Sequence, residues 1–199
     1  MHYFHLLNIR KGITLALLGF FLLWGNSRVW AQEFRFERIG EREGLIQKSI
    51  FAGAQDQKGY LWFGTDEGLL RYDGYQFKAY QYDPAQKNSL SSSKVYSVFV
   101  DSKDRVWAGM QPGAGLNLLN PDGETFTHYF HDPDNPNSLL TSNAVFEIIE
   151  DREGYIWLGM GEGDGLSRLT AETGDFPHYQ HVPQDPSTLA SGAIWHLAE

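Results

Sequence analysis

Beyond residue 49 the apolar positions come in short bursts, separated by Gly, Asp, Asn and Pro. That is the rhythm of brief strands joined by tight turns. Ile50–Gln55, Val95–Val100 and Val145–Glu150 correspond to one another and predict the first strand of three successive units. Each is followed by an Asp-x-x-Gly-type turn and then by a strand carrying tryptophan. Asp56, Gly59, Trp62 and Gly64 recur as Asp101, Asp104, Trp107 and Gly109, and again as Asp151, Gly154, Trp157 and Gly159. The tryptophans lie 45 and then 50 residues apart. A third strand is expected from each Gly-Leu pair (Gly68-Leu69, Gly115-Leu116, Gly165-Leu166). A fourth is expected over Phe77–Tyr80, Phe126–Tyr129 and Phe176–Tyr179.

Turn chemistry supports this register. The turn Asp caps its hairpin with a carboxylate, and Gly takes the positive φ that a side chain resists. Asp104 stands where the second unit would carry Gly, and Asp is among the few residues that tolerate the left-handed region. Four strands per unit at this period predict an all-β fold of β-propeller blades. A tryptophan at one fixed strand position would fill the space between adjacent blades. The expected organisation is an N-terminal strand and linker over 32–48, blade 1 over 49–82, and linker with blade 2 over 83–131. Linker with blade 3 follows over 132–181, then linker with the first strand of a fourth blade over 182–199. Phe34–Ile39 resembles a last strand without its blade, the kind of segment that closes a propeller ring. About three and a half blades cannot close a ring that needs at least about four. The expectation is therefore a fragment of a larger propeller, whose open strand edges would favour self-association.

Residues 1–31 follow a different pattern. Arg10 and Lys11 precede the apolar stretch Ile13–Trp24, and Val29-Trp30-Ala31 offers a cleavage site. This is the layout of a secretory signal, cleaved after Ala31, for a periplasmic or extracellular protein. An uncleaved anchor is the alternative, although 12 residues fall short of the roughly 20 needed to span a bilayer. The segment holds three basic groups and no acidic one, so its removal takes the formal charge from −9 to −12. Such an acidic chain has no electrostatic footprint for nucleic acid or anionic lipid. It has no cysteine, hence no disulfide to compensate for a small core.

Asp-x-x-Gly-x-[Leu/Ile]-Trp-x-Gly, then Gly-Leu, then Phe-x-x-Tyr resembles the two-component regulator propeller repeats. The linker Asp132-Pro133-Asp134-Asn135-Pro136-Asn137-Ser138-Leu139 is similar as well. Asp104, and Met110 and Met160 where Thr65 has its counterpart, are departures. The resemblance covers residues 34–199 and implies the sensor propeller of a membrane-anchored signalling receptor. Its kinase or cyclase output would lie beyond this chain, and its ligand would be an oligosaccharide or another small extracellular molecule. A secreted propeller enzyme acting on polysaccharide, a glycosidase or lyase, is the alternative.

Function on repeat folds sits on loops held by a fixed frame. The connections between second and third strands vary between repeats, so Asp66, Glu67, Gln111, Glu162 and Asp164 are the candidate ligand-binding residues. No catalytic residue, metal ligand or cofactor is assigned. Gly159–Gly165 alternates glycines but lacks the Lys-Ser/Thr ending of a phosphate loop and leads into a strand. His128/His131 and His178/His181 are spaced three apart, which on a strand sends them to opposite faces. Asp132 and Asp134 lack the Gly and Glu of a calcium loop.

Overall fold

The computed structural model describes residues 40, 44, 45, 49–139, 144–161, 165–170 and 174–198. The segment read as an export signal, the candidate closing strand Phe34–Ile39, Glu162 and Asp164 lie outside these residues. Among the described residues, twelve strands form three four-stranded antiparallel sheets, each a simple meander. The first sheet comprises β1 (Ile50–Gln55), β2 (Leu61–Thr65), β3 (Gly68–Tyr72) and β4 (Phe77–Tyr80). The second comprises β5 (Val95–Val100), β6 (Val106–Met110), β7 (Leu116–Leu119) and β8 (Phe126–Tyr129). The third comprises β9 (Val145–Glu150), β10 (Ile156–Met160), β11 (Leu166–Leu169) and β12 (His178–Tyr179). β5 packs on β1 and β2, and β9 packs on β5 and β6. First strands are therefore innermost and the sheets are propeller blades.

The last strand of the third blade is shorter than the sequence pattern predicts. Pro177 has no N–H to give to a ladder, so pairing is confined to His178 and Tyr179. Phe176 N–H instead donates to Asn137 O of the preceding linker at 2.8 Å. Phe126 makes the equivalent bond to Asn88 O, also 2.8 Å. Residues 194–198, expected as a fourth inner strand, form no ladder among the described residues. Ile194 nevertheless donates its N–H to Met160 O at 2.9 Å.

The turn Asp does more than cap a hairpin. Asp101 is 3% exposed, and its Oδ1 accepts the N–H groups of Lys103 (3.0 Å) and Arg105 (2.9 Å). Its Oδ2 accepts the Trp107 indole N–H at 2.8 Å. Asp56 and Asp151 make the same bonds to Trp62 (2.9 Å) and Trp157 (2.6 Å). The carboxylate thus fixes both the turn and the orientation of the ring. Trp62 joins Val95, Val98, Val106 and Ala108 in the core between blades 1 and 2. Trp107 joins Val145, Ile148, Ile156 and Leu158 between blades 2 and 3.

Two residues after each Trp, glycine lets the next blade approach. A Cβ on Gly109 would lie 2.6 Å from Val145 O and 2.1 Å from Ser97 Oγ. On Gly64 it would lie 2.7 Å from Val95 O, and on Gly159 3.2 Å from Ile194 O. Ile194 therefore occupies the place of Val95 and Val145 relative to the blade before it. The hairpins are also tied to one another. Asp104, at φ 61°, accepts Gln57 N–H of blade 1 on its carboxylate at 2.8 Å. Ser102 donates N–H and O–H to Glu150 of blade 3 at 2.6 and 2.8 Å.

Gly109→Ala should cost about 1–3 kcal/mol by overpacking, read from urea unfolding, because the added Cβ would meet the Ser97 hydroxyl of its own blade and the Val145 backbone of the next. Acid should also weaken the fold. Burial pushes the Asp151 pKa up, yet the Trp157 indole, the Tyr155 and Glu153 amides and Arg168 together hold it below the ordinary 3.8. Asp73 is lowered by the Gln76 and Tyr75 amides, Asp122 by the Thr125 hydroxyl and amide, and Asp185 by Ser187. Unfolded chains bind these protons first as pH falls. The contribution to stability is complete above the unfolded value and is lost as pH drops below it through the lower folded values. The unfolding temperature, measured from pH 7 downward, should drop across that window.

Candidate functional site

Asp66 and Glu67 form the two-residue connection from β2 to β3, at the opposite end of β2 from the Asp56 hairpin. Thr65 is buried; its Oγ1 donates to Gly68 O (2.8 Å) and accepts Glu67 N–H (3.1 Å), closing the turn. The turn leaves the Glu67 side chain exposed and Asp66 partly buried. Asp66 Oδ1 is shielded from solvent and accepts no hydrogen bond among the described residues. Most buried polar atoms in folded proteins are paired, so this oxygen is an exception among the described residues.

The corresponding connection in blade 2 is Gln111-Pro112-Gly113-Ala114. Gln111 N–H donates to Lys94 O at 3.1 Å, and Ala114 N–H donates back to Gln111 O at 3.0 Å. Asn117, on β7, is fully buried and anchors this loop to the linker before β5. Its Oδ1 accepts Ser91 N–H (3.0 Å), and its Nδ2 donates to Ser91 Oγ (2.7 Å). The Ser91 hydroxyl in turn donates to Ala114 O (2.7 Å). The pattern-based reading missed Asn117. Its signal is a polar residue at a core strand position, where blade 1 has Leu70 and blade 3 has Ser167.

Linkers and second-to-third-strand connections thus share one end of the blades. In blade 3, Gly161 N–H donates to Ala144 O (3.1 Å) and Gly165 N–H to Gly192 O (2.6 Å). Asp66, Glu67 and Gln111 all lie at this end. Asp66 and Glu67 sit at the edge of blade 1 and Gln111 at that of blade 2, and no hydrogen bond joins Gln111 to the acidic pair among the described residues.

The other motifs are absorbed by the linkers. His131 Nδ1 bonds Leu139 O (3.0 Å) and His181 Nδ1 bonds Leu189 O (2.6 Å), the same staple in consecutive blades. His128 Nε2 bonds Ser89 O (2.7 Å), and His178 Nδ1 bonds Ser167 Oγ (3.0 Å). Asp132 N–H donates to Ser138 Oγ (2.8 Å), and Asp83 and Val182 do likewise to Ser89 (2.9 Å) and Thr188 (3.0 Å). These groups close loops.

At the opposite end a cleft of about 370 Å³ separates blades 1 and 2, lined by Asp56, Lys58, Arg71, Lys103, Asp104 and Arg105 among others. Its carboxylates are engaged: Asp56 by Trp62, and Asp104 by Gln57. Arg105 bonds Asp101 (2.6 Å), and Arg71 lies over Tyr60 (4.7 Å).

Comparison with known proteins agrees with this architecture. Residues 139–162 match the family model described as two component regulator propeller. Histidine kinase P4 of Formosa agariphila is 40% identical over 58 residues, which are 29% of this chain and 4% of that protein. Among solved structures, the extracellular domain of a B. thetaiotaomicron protein described as a hybrid two component system aligns with a TM-score of 0.70. The two are 29% identical, over 80% of this chain and 22% of that one. Virginiamycin B lyase from Staphylococcus aureus aligns at a TM-score of 0.51 with 19% identity, over 70% of this chain and 43% of that one, a likeness of fold alone. The chain spans about a fifth of the length of the first solved structure and a small fraction of the kinase.

Asp101→Ala should cost about 3 kcal/mol in urea unfolding, because it strips a buried acceptor from an indole, a guanidinium and two amides. Asp66→Ala should stay within about 0.5 kcal/mol of the parent, since its Oδ1 accepts no hydrogen bond among the described residues.

Proposed function

We propose that this chain, whose repeats are two-component regulator propeller repeats, is the N-terminal part of a periplasmic ligand-sensing propeller in a signal-transduction receptor. It is non-catalytic by itself. The observation that carries the reading is the 29% identity, across 80% of the chain, with the extracellular domain of a protein described as a hybrid two component system. The ligand is an oligosaccharide or another small extracellular molecule, and it meets the end of the blades that carries Asp66, Glu67 and Gln111. In the third repeat the corresponding connection of the sequence carries Glu162 and Asp164, which belong to the proposed site. Export by the 1–31 segment and a membrane anchor elsewhere in the receptor complete the proposal.

The repeated carboxylates argue against the enzyme alternative. General acid–base work needs a carboxylate free to meet substrate. Asp56, Asp101 and Asp151 each spend one oxygen on turn amides and the other on an indole.

The test is genetic. Transcripts from a strain carrying the full-length gene and from its deletion mutant are compared during growth on a panel of purified polysaccharides. The expected result is that the deletion abolishes induction of a gene set on at least one polysaccharide. Full-length protein with Asp66→Ala and Gln111→Ala should be exported normally while reducing that induction at least tenfold. Identical transcript profiles of both strains on every polysaccharide would sink the sensor reading.

A further inference from the structure

The cleft between the hairpin ends of blades 1 and 2 gathers cations that the fold leaves without a counterion. Lys58 and Arg71 of blade 1 and Lys103 and Arg105 of blade 2 line it. Arg105 is paired with Asp101, whereas Lys58, Arg71 and Lys103 form no ion pair among the described residues. The two carboxylates of the lining are engaged by neutral donors. Asp56 accepts the Lys58 and Tyr60 amides on one oxygen and the Trp62 indole on the other, and Asp104 accepts the Gln57 amide. Arg71 lies over the Tyr60 and Trp62 rings at 4.7 and 5.9 Å. Its Nε is shielded from solvent and has no hydrogen-bond partner among the described residues. Such a nitrogen carries a desolvation cost, and an anion beside the guanidinium offsets it.

Repetition of the blade does not account for this set. The stack itself recurs, with Arg168 over Trp157 and its Nε likewise unpartnered, so the stack belongs to the frame. The charges around it do not recur. In blade 3 the place of Lys103 is taken by Glu153, and in blade 2 the place of Arg71 is taken by Leu118. The gap between the hairpins of blades 2 and 3 is lined by Glu150 and Glu153 beside Lys103 and Arg152. Ser102 donates to Glu150 there. Cations and carboxylates are balanced in that gap, and in the cleft between blades 1 and 2 the cations exceed them.

The cleft measures about 370 Å³, a size that suits a small molecule. Hydrogen bonds between the blades fix its width. Gln57 donates to Asp104 at 2.8 Å and to Ser102 O at 3.2 Å, and the Tyr80 hydroxyl donates to Gly123 O at 3.1 Å. A preformed site of this kind gives up little freedom on binding. Its remaining walls include Val106, Leu118 and Leu119. A bare inorganic anion would leave those walls uncovered. A large polyanion would meet the field of a chain carrying a formal charge of −9. The lining therefore suits a compact anion with an apolar body, and a guanidinium edge matches a carboxylate.

We propose that this cleft binds a small organic carboxylate, held by Lys58, Arg71 and Lys103 with its apolar body against Val106, Leu118 and Leu119. It is a second site, at the end of the blades opposite Asp66, Glu67 and Gln111, and it does not depend on the sensing function above. Purified full-length protein is titrated by calorimetry with benzoate, 4-hydroxybenzoate and hexanoate, and with benzamide and inorganic phosphate for comparison. At least one carboxylate binds saturably, while benzamide and phosphate bind at least tenfold more weakly than it does. Arg71→Leu, which installs the residue blade 2 carries at this place, weakens carboxylate binding at least tenfold. The double variant Lys58→Gln, Lys103→Gln does the same, and its unfolding temperature matches the parent because both side chains are exposed. Failure of all three carboxylates to bind would overturn the proposal. So would benzamide or phosphate binding as tightly as the carboxylates, or a double lysine variant that binds as the parent does.

Discussion

The bond from each tryptophan indole to the carboxylate six residues before it organises the rest of the molecule. One oxygen of Asp56, Asp101 or Asp151 holds the amides of its hairpin, and the other holds the indole N–H. The ring is thereby locked at a set angle across the blade, and in blades 1 and 2 it forms part of the core shared with the next sheet. Glycine two residues later then admits the inner strand of that sheet to backbone contact. Turn, core and blade spacing are therefore consequences of one hydrogen-bonded pair in a low-dielectric setting, where such a bond is strong and its loss costly.

Blade 2 shows how much variation that pair absorbs. In blades 1 and 3 a third-strand arginine lies over the indole: Arg71 over Trp62 at 5.9 Å and Arg168 over Trp157 at 5.6 Å. In blade 2 the third-strand position is Leu118, paired with Trp107. Arg105 supplies the cation from the hairpin side at 5.1 Å and also pairs with Asp101. The cation–π contact is kept although its donor has changed strands. Asp104 likewise takes the left-handed position of a glycine and uses its carboxylate to tie blade 1 to blade 2.

The two ends of the blades consequently differ in what they can do. At the hairpin end, carboxylates, amides and hydroxyls are consumed by one another within and between blades. At the other end the connections differ from repeat to repeat, Asp66 Oδ1 accepts no hydrogen bond among the described residues, and aromatic rings stand outside the core. Binding on a repeat fold needs this division, because a rigid frame must hold a surface whose chemistry can change without loosening the fold.

The blade repeat, the hairpins and nearly all strand positions were legible in the sequence, because turn chemistry and the period-two alternation act over a few neighbouring residues. Pro177 accounts for the shortened last strand of the third blade, again for a local reason, while residues 194–198, expected as a strand, form no ladder among the described residues. The indole–carboxylate bond was only half legible: the Asp cap could be read, while its second oxygen required the twist of the hairpin to be known. Asn117 and Ser91 meet across 26 residues, and Tyr96 and Phe146 stack across 50. Nothing in the local alternation announces such pairs. They exist because the inner strands converge and each is bulged at one residue, so these pairings were decided by tertiary structure alone.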